Sequence, residues 1–102
     1  MLETIAIHSV EVAALCRPYG VARLDVFGSA ANGTFDPAKS DIDFIVQFKA
    51  HAKAKAFDNF FGLREGFEAI FGRPIDLLTV EQIRNPYLAA SIETSRRPVY
   101  IE

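Results

Sequence analysis

Apolar side chains at the start of the chain recur at intervals that keep them on one face of a helix. The stripe lies within residues 2–19 and has six members: Leu2, Ile5, Val12, Leu15, Cys16 and Tyr19. Pro18 and Gly20 follow as stop signals. We therefore predict one amphipathic helix here, with Cys16 as a small buried hydrophobic residue.

Alternation of apolar and polar side chains predicts three strands further along the chain. Residues 22–27 (ARLDVF) place Leu24 and Val26 on one face. Residues 41–48 (DIDFIVQF) give the strongest strand signal, and residues 74–80 (PIDLLTV) give the third. In the strongest strand one face is formed by four apolar residues: Ile42, Phe44, Val46 and Phe48.

A second helical stripe lies in residues 52–71 and is mostly aromatic. Its members are predicted to face the core: Phe57, Phe60, Phe61, Leu63, Phe67, Ile70 and Phe71. Residues 81–102 predict a short helical turn, a break at Pro86, a helix to about Thr94 and an extended end.

The order helix, strand, strand, helix, strand, helix predicts an α/β (α+β) fold, a small mixed sheet with helices packed on it. We expect residues 1–102 to form a single domain, because half of the residues are hydrophobic and can bury a core.

Composition and charge argue against nucleic-acid binding and membrane association. The net charge of −2 provides no broad basic field, so direct nucleic-acid binding is not expected. No apolar run approaches the roughly 20 residues that span a bilayer, and the N-terminal segment lacks the features of a signal peptide. We therefore expect no membrane partner and a cytoplasmic location. The single cysteine cannot form an internal disulfide.

Three aspartates carry the candidate chemistry. Asp41 and Asp43, two positions apart at the start of a strand, project from the same face, and Asp76 interrupts an apolar strand. Carboxylate oxygens are suitable ligands for Mg²⁺, which also binds substrate phosphates. We predict that all three ligate metal and act in catalysis, in a phosphoryl displacement of the nucleotidyl-transfer type.

Gly28 and Ser29 end a strand at a sharp turn where a short helix is predicted to begin. Glycine lets the backbone approach a phosphate closely, and a serine hydroxyl donates to a phosphate oxygen. We assign both to nucleotide binding. Ser40 joins this set, with capping of the turn before the strand as its alternative role.

FGSAANGTFDPAKSDIDFIVQF, followed about thirty residues later by RPIDLL, resembles the minimal nucleotidyltransferase domains of the DNA polymerase beta superfamily. The resemblance covers most of the chain. It implies a nucleotidyltransferase fold in which Gly28 and Ser29 begin the helix under the triphosphate and Asp41, Asp43 and Asp76 bind two Mg²⁺ ions.

One position departs from the family pattern, because many relatives have an arginine where this chain has Asn32. Asparagine cannot replace the charge of a guanidinium, so nucleotide affinity is expected to fall. Four cations are candidates for compensation: Lys39, Lys49, Arg73 and Arg84.

Small domains of this kind resemble antitoxins of bacterial two-gene systems whose partner is a HEPN-type ribonuclease toxin. The resemblance implies transfer of AMP from ATP to a hydroxyl of that partner, a tyrosine. Two alternatives stay open. One is a non-catalytic antitoxin that neutralises its partner by contact, and the other is transfer to a small molecule, for which a minimal domain offers little pocket.

Overall fold

The computed structural model describes residues 1–102. Five α-helices cover Leu2–Ile7 (α1), Ser9–Cys16 (α2), Ser29–Asn32 (α3), Ala56–Phe71 (α4) and Pro86–Ser95 (α5). Four strands cover Val21–Phe27 (β1), Ile42–Phe48 (β2), Ile75–Thr79 (β3) and Arg97–Ile101 (β4). Short 3₁₀ helices occupy Ala50–Lys55 and Val80–Gln82.

The four strands form one sheet in the order β3-β2-β1-β4. β1 is antiparallel to β2 and β4, whereas β3 is parallel to β2. A parallel pair needs a crossover connection, and α4 supplies it between β2 and β3. The sheet is therefore mixed, which confirms the predicted fold class, and the predicted extended end of the chain is β4.

Alternating residues of the central strands contribute to two hydrophobic clusters on opposite faces of the sheet. Val26 and Phe44 belong to the larger cluster, which also contains residues of α1, α2, α3 and α4. Phe27 and Ile45 belong to the smaller cluster, where they pack with Ile92 of α5. All four residues predicted to share one face of β2 are buried: Ile42, Phe44, Val46 and Phe48.

The prediction of one continuous first helix is wrong, because the chain breaks at His8 into α1 and α2. The His8 backbone has φ −93° and ψ 14°, outside the helical region. The break leaves Ile5 of α1 and Val12 of α2 buried on either side, while Leu2 of the predicted stripe is 38% exposed. Cys16 is fully buried as predicted, and burial raises the pKa of its thiol to about 12.

The prediction that the whole aromatic stripe faces the core is wrong at two positions. Leu63 and Phe67 are fully buried, but Phe57 is 76% exposed and Phe61 is 38% exposed. At about 100° per residue, Phe57 and Phe61 lie on the helix face beside the one that carries Leu63 and Phe67. They pack on each other instead, with ring centroids 5.0 Å apart.

None of the helices combines the length and the apolar character that crossing a membrane requires.

Candidate active site

Two of the three predicted acids meet across a parallel strand pair. The register of β2 and β3 pairs Asp43 with Asp76. Side chains at paired positions of neighbouring strands point to the same face, which here is the α5 face that also carries Ile45. Asp43 is half-buried and Asp76 is exposed. These two carboxylates therefore form the centre of the candidate site.

Asp41 is exposed and lies in the segment immediately before β2. Its charge reaches Asp43 and helps to raise the pKa of that residue. The structure contains no group of three or more His, Cys, Asp or Glu side chains already gathered as a metal site. The structure thus brings two of the three predicted acids, Asp43 and Asp76, together, whereas Asp41 acts on Asp43 from the adjoining loop.

The surroundings of Asp43 favour its protonated form. Burial, the charges of Asp76 and Asp41, and a hydrogen bond to Asp76 raise the pKa of Asp43 from 3.8 to about 6. No ion pair in the structure includes any of these three acids, so no basic side chain relieves the repulsion. Crowded carboxylate oxygens without a basic partner fit a hard cation such as Mg²⁺.

Gly28 lies against the Asp43 carboxylate. A Cβ atom at position 28 would come within 2.6 Å of Asp43 Oδ2. The backbone there has φ 68° and ψ −145°, a conformation that residues other than glycine rarely adopt. The Gly28 carbonyl accepts hydrogen bonds from the Ala31 and Asn32 N–H groups and so begins α3. The predicted turn therefore lies beside the predicted acids, with Ser29 as the first residue of α3.

Ser40 and Asn32 form hydrogen bonds within their own turns. Ser40 Oγ accepts a hydrogen bond from the Asp36 N–H at 3.0 Å, the capping role that was its alternative. Asn32 Oδ1 accepts hydrogen bonds from the N–H and the hydroxyl of Thr34. The Asn32 side chain thus stabilises the end of α3 and supplies no charge to the site.

Two of the four cations considered as substitutes for the family arginine are engaged elsewhere. Lys49 forms an ion pair with Glu102. The Arg73 guanidinium donates to the Pro37 carbonyl and stacks over the Phe35 ring, 4.8 Å from its centroid. Arg73 therefore holds the loop that leads to Asp41.

Two residues next to this site were not predicted from the sequence. Ser95, at the end of α5, accepts a hydrogen bond from the Gly28 N–H at 3.1 Å. Asp25 in β1 is fully buried and is bound by Arg23 and Arg96. Asp25 could have been found by the reasoning applied to Asp76, since it too is a lone acid in an apolar strand. No sequence signal indicates the Ser95 contact.

A family model described as a nucleotidyltransferase domain matches residues 12–99. A protein of Methanocaldococcus jannaschii with the provisional name protein adenylyltransferase is 39% identical over 75 residues, which cover 74% of this chain and 73% of that protein.

Solved structures show the same fold. One described provisionally as a minimal nucleotidyltransferase superposes with a TM-score of 0.77 at 27% identity, over 95% of this chain and 94% of that chain. A chain from the complex of a tri-AMPylated HEPN toxin of Shewanella oneidensis with an MNT antitoxin superposes with a TM-score of 0.59 at 14% identity, over 96% of this chain and 73% of that chain. The match over residues 12–99, together with this fold, shows that the chain belongs to the nucleotidyltransferase domain family.

Proposed function

We propose that this chain, acting as one domain in the cytoplasm, transfers AMP from ATP to a hydroxyl of a partner protein. The observation that carries the proposal is the pairing of Asp43 with Asp76 beside the Gly28 turn. Two carboxylates and a close backbone approach are what a metal-bound triphosphate requires. The name of the Methanocaldococcus relative supports a protein as the acceptor.

Asp41, Asp43 and Asp76 would hold Mg²⁺, and Gly28 and Ser29 would bind the triphosphate, with Ser40 keeping the loop before β2 in place. Bound Mg²⁺ would neutralise phosphate charge and lower the pKa of the attacking hydroxyl. The exposed Asp76 carboxylate is the group that can accept the proton of that hydroxyl.

The transfer is balanced without any further reactant. The acceptor oxygen forms a bond to the α-phosphorus of ATP, the bond from that phosphorus to the bridging oxygen breaks, and pyrophosphate leaves. The product is an AMP ester of the acceptor. The half-buried position of Asp43 keeps its carboxylate in a fixed place beside Gly28.

The proposed acceptor is a tyrosine of a HEPN-type toxin, and the proposed role is that of an antitoxin. Support comes from the fold shared with a chain of the Shewanella complex, in which a HEPN toxin carries AMP and an MNT antitoxin is bound.

A non-catalytic antitoxin is the second candidate, and the side chain of Asn32 favours it. Where many relatives place a guanidinium, this chain has an amide whose oxygen is bound to Thr34. The weaker hold on phosphate that follows would suit a protein that neutralises its partner by contact alone.

Intact mass spectrometry of the partner separates the two candidates. The partner is incubated with ATP, Mg²⁺ and either this protein, its Asp43→Asn variant or its Asp58→Asn variant. The last is a matched control that removes an exposed acid at the start of α4. We expect the mass of one or more AMP units to be added by the unsubstituted protein and the Asp58→Asn control only.

Other outcomes contradict specific parts of the proposal. Transfer by Asp43→Asn at the normal rate would refute the site assignment. A stable complex between the partner and the unsubstituted protein, with no mass added to the partner, would favour the non-catalytic antitoxin. AMP found on a small molecule and never on the partner would contradict the protein acceptor.

A further inference from the structure

The Gly28 turn is bound to the far end of the chain through a single side chain. The Gly28 N–H donates to Ser95 Oγ at 3.1 Å, and the Ser95 hydroxyl donates to the Ser91 carbonyl at 2.9 Å. Because the Ser95 proton is directed to Ser91, a lone pair of its oxygen is free to accept from Gly28. The serine is thus held in one orientation by its own helix.

The segment that carries Ser95 is itself fastened to β1. Only Arg96 separates α5 from β4, and its guanidinium binds the buried Asp25 carboxylate. The next residue, Arg97, is paired with Val26 in the sheet. Three consecutive residues therefore meet β1 and the turn that follows it, which leaves little freedom for Ser95 to move away from Gly28.

Glycine is conformationally permissive, so contacts with neighbouring groups are needed to hold the Gly28 peptide in one orientation. Its φ of 68° with ψ of −145° lies in a region that is open essentially to glycine alone. On the other side, Gly28 abuts the Asp43 carboxylate. A rotation of the Gly28 peptide would therefore alter the backbone of the turn at Gly28 and Ser29, where phosphate is proposed to bind. It would also displace the Asp43 carboxylate.

We propose that Ser95 is a positioning residue for nucleotide binding. Its hydroxyl fixes the orientation of the Gly28 peptide and so keeps the turn at Gly28 and Ser29 in place beside the Asp43 carboxylate. This inference rests on the proposed function for the identity of the ligand. The role is distinct from that of the acids, because Ser95 would act through its hydrogen bond to the Gly28 N–H and not as a ligand of the nucleotide or the metal.

The chain offers a matched control one residue away. Thr94 Oγ1 also donates to the Ser91 carbonyl, at 3.0 Å, but forms no hydrogen bond with Gly28. Thr94→Ala therefore removes a hydroxyl from the same helix turn and leaves the Gly28 contact intact. Ser95→Thr retains the hydroxyl and serves as the rescue variant.

Two measurements test the inference. The first is amide hydrogen exchange of Gly28 by NMR in the protein without nucleotide. The second is the Kd for a non-hydrolysable ATP analogue with Mg²⁺. A backbone hydrogen bond of ordinary strength predicts that Ser95→Ala raises both the exchange rate and the Kd by about fivefold. Thr94→Ala should leave both unchanged, and Ser95→Thr should restore both.

Exchange at Gly28 that is unchanged in Ser95→Ala overturns the inference without reference to any nucleotide. An equal loss of affinity in Thr94→Ala would show a general effect of α5 and would also overturn it. Tighter binding by Ser95→Ala would mean that Ser95 competes with phosphate for the Gly28 N–H, the opposite of the proposed role. Failure of the unsubstituted protein to bind the analogue would refute the proposed function instead. The exchange measurement would still show whether the Ser95 hydroxyl protects the Gly28 N–H.

Discussion

Gly28 and Asp43 are in such close contact that the glycine has no room for a side chain: a Cβ atom would lie 2.6 Å from Asp43 Oδ2. The contact arises because β1 pairs Phe27 with Asp43, so that the residue after Phe27 turns over the carboxylate. The turn that is proposed to bind phosphate is therefore packed directly against an acid that is proposed to bind metal, so a shift of one displaces the other.

Gly28→Ala should lose nucleotide binding as well as stability. The positive φ alone costs about 2 kcal/mol of unfolding free energy for a residue with a side chain. The new methyl group must also push the Asp43 carboxylate aside. We expect urea denaturation to show the first effect and calorimetric titration with ATP and Mg²⁺ to show the second.

Gly33→Ala separates these two effects. Gly33 has φ 86°, but a Cβ atom there would meet nothing within 4 Å. Its substitution should cost about 1 kcal/mol of stability and leave ATP affinity unchanged. Equal losses of affinity in the two variants would show that the contact between Gly28 and Asp43 has no functional role.

The predictable part of the site follows from local periodicity. The alternation in β2 places Asp43 on the face opposite Phe44, and an acid within the apolar run of β3 indicates Asp76. The register that pairs them depends on how β2 and β3 align, and no local pattern specifies that alignment. The Ser95 contact spans 67 positions of the chain and is a consequence of the completed fold.

The errors in the predicted helices have a similar origin. Spacing shows which residues can share a helix face but not how wide a face the core will cover. Phe57 and Phe61 satisfy the three- and four-residue steps and still lie outside the covered part of α4. The break at His8 is also invisible to spacing, because Ile5 and Val12 are buried on either side of it.

Asp43→Asn should stabilise the metal-free protein at neutral pH. The pKa of Asp43 is raised to about 6 in the folded state against 3.8 for the ordinary carboxyl, so the folded state binds the proton more tightly. The resulting stabilisation is fully present below pH 3.8 and is lost as the pH rises through 6. Asparagine avoids that loss.

We expect the variant to gain about 1 kcal/mol at pH 7.5, a value discounted for the solvent exposure of the carboxylate. The gain should shrink towards zero near pH 4, where the wild-type carboxyl is already protonated. Urea denaturation of both proteins at the two pH values, in the presence of a chelator, provides the measurement. A gain of the same size at both pH values would mean that ionisation of Asp43 is not its source.

Removal of Mg²⁺ should abolish ATP binding, and Asp41→Asn should weaken it with the fold intact. The proposed metal site loses one of its three carboxylate ligands, so we expect the affinity for ATP in the presence of Mg²⁺ to fall by at least about tenfold. Because Asp41 is exposed, its replacement removes a repulsive charge without creating a cavity. Calorimetry with and without a chelator measures the affinity, and circular dichroism verifies the fold. Unchanged ATP affinity in Asp41→Asn would exclude this residue from the metal site.

The ion pair between Asp25 and Arg96 makes a different prediction, because it joins α5 to β1 beneath the site. Asp25 is fully buried and has two basic partners, Arg96 with 25% of its side chain exposed and Arg23 with 41%. Loss of the more buried partner leaves a buried carboxylate with less compensation. Arg96→Met should therefore reduce the unfolding free energy by about 3 kcal/mol, and Arg23→Met by about 1 kcal/mol.

A double variant tests whether the cost comes from the orphaned charge. Asp25→Asn combined with Arg96→Met removes both members of the pair, so it should recover at least half of the stability that Arg96→Met alone loses. Thermal or urea denaturation of Asp25→Asn, of Arg96→Met and of the double variant completes the double-mutant cycle. If the losses were simply additive, the charge of Asp25 would not be the reason for the cost, and the packing of the Arg96 side chain against α5 would explain it instead.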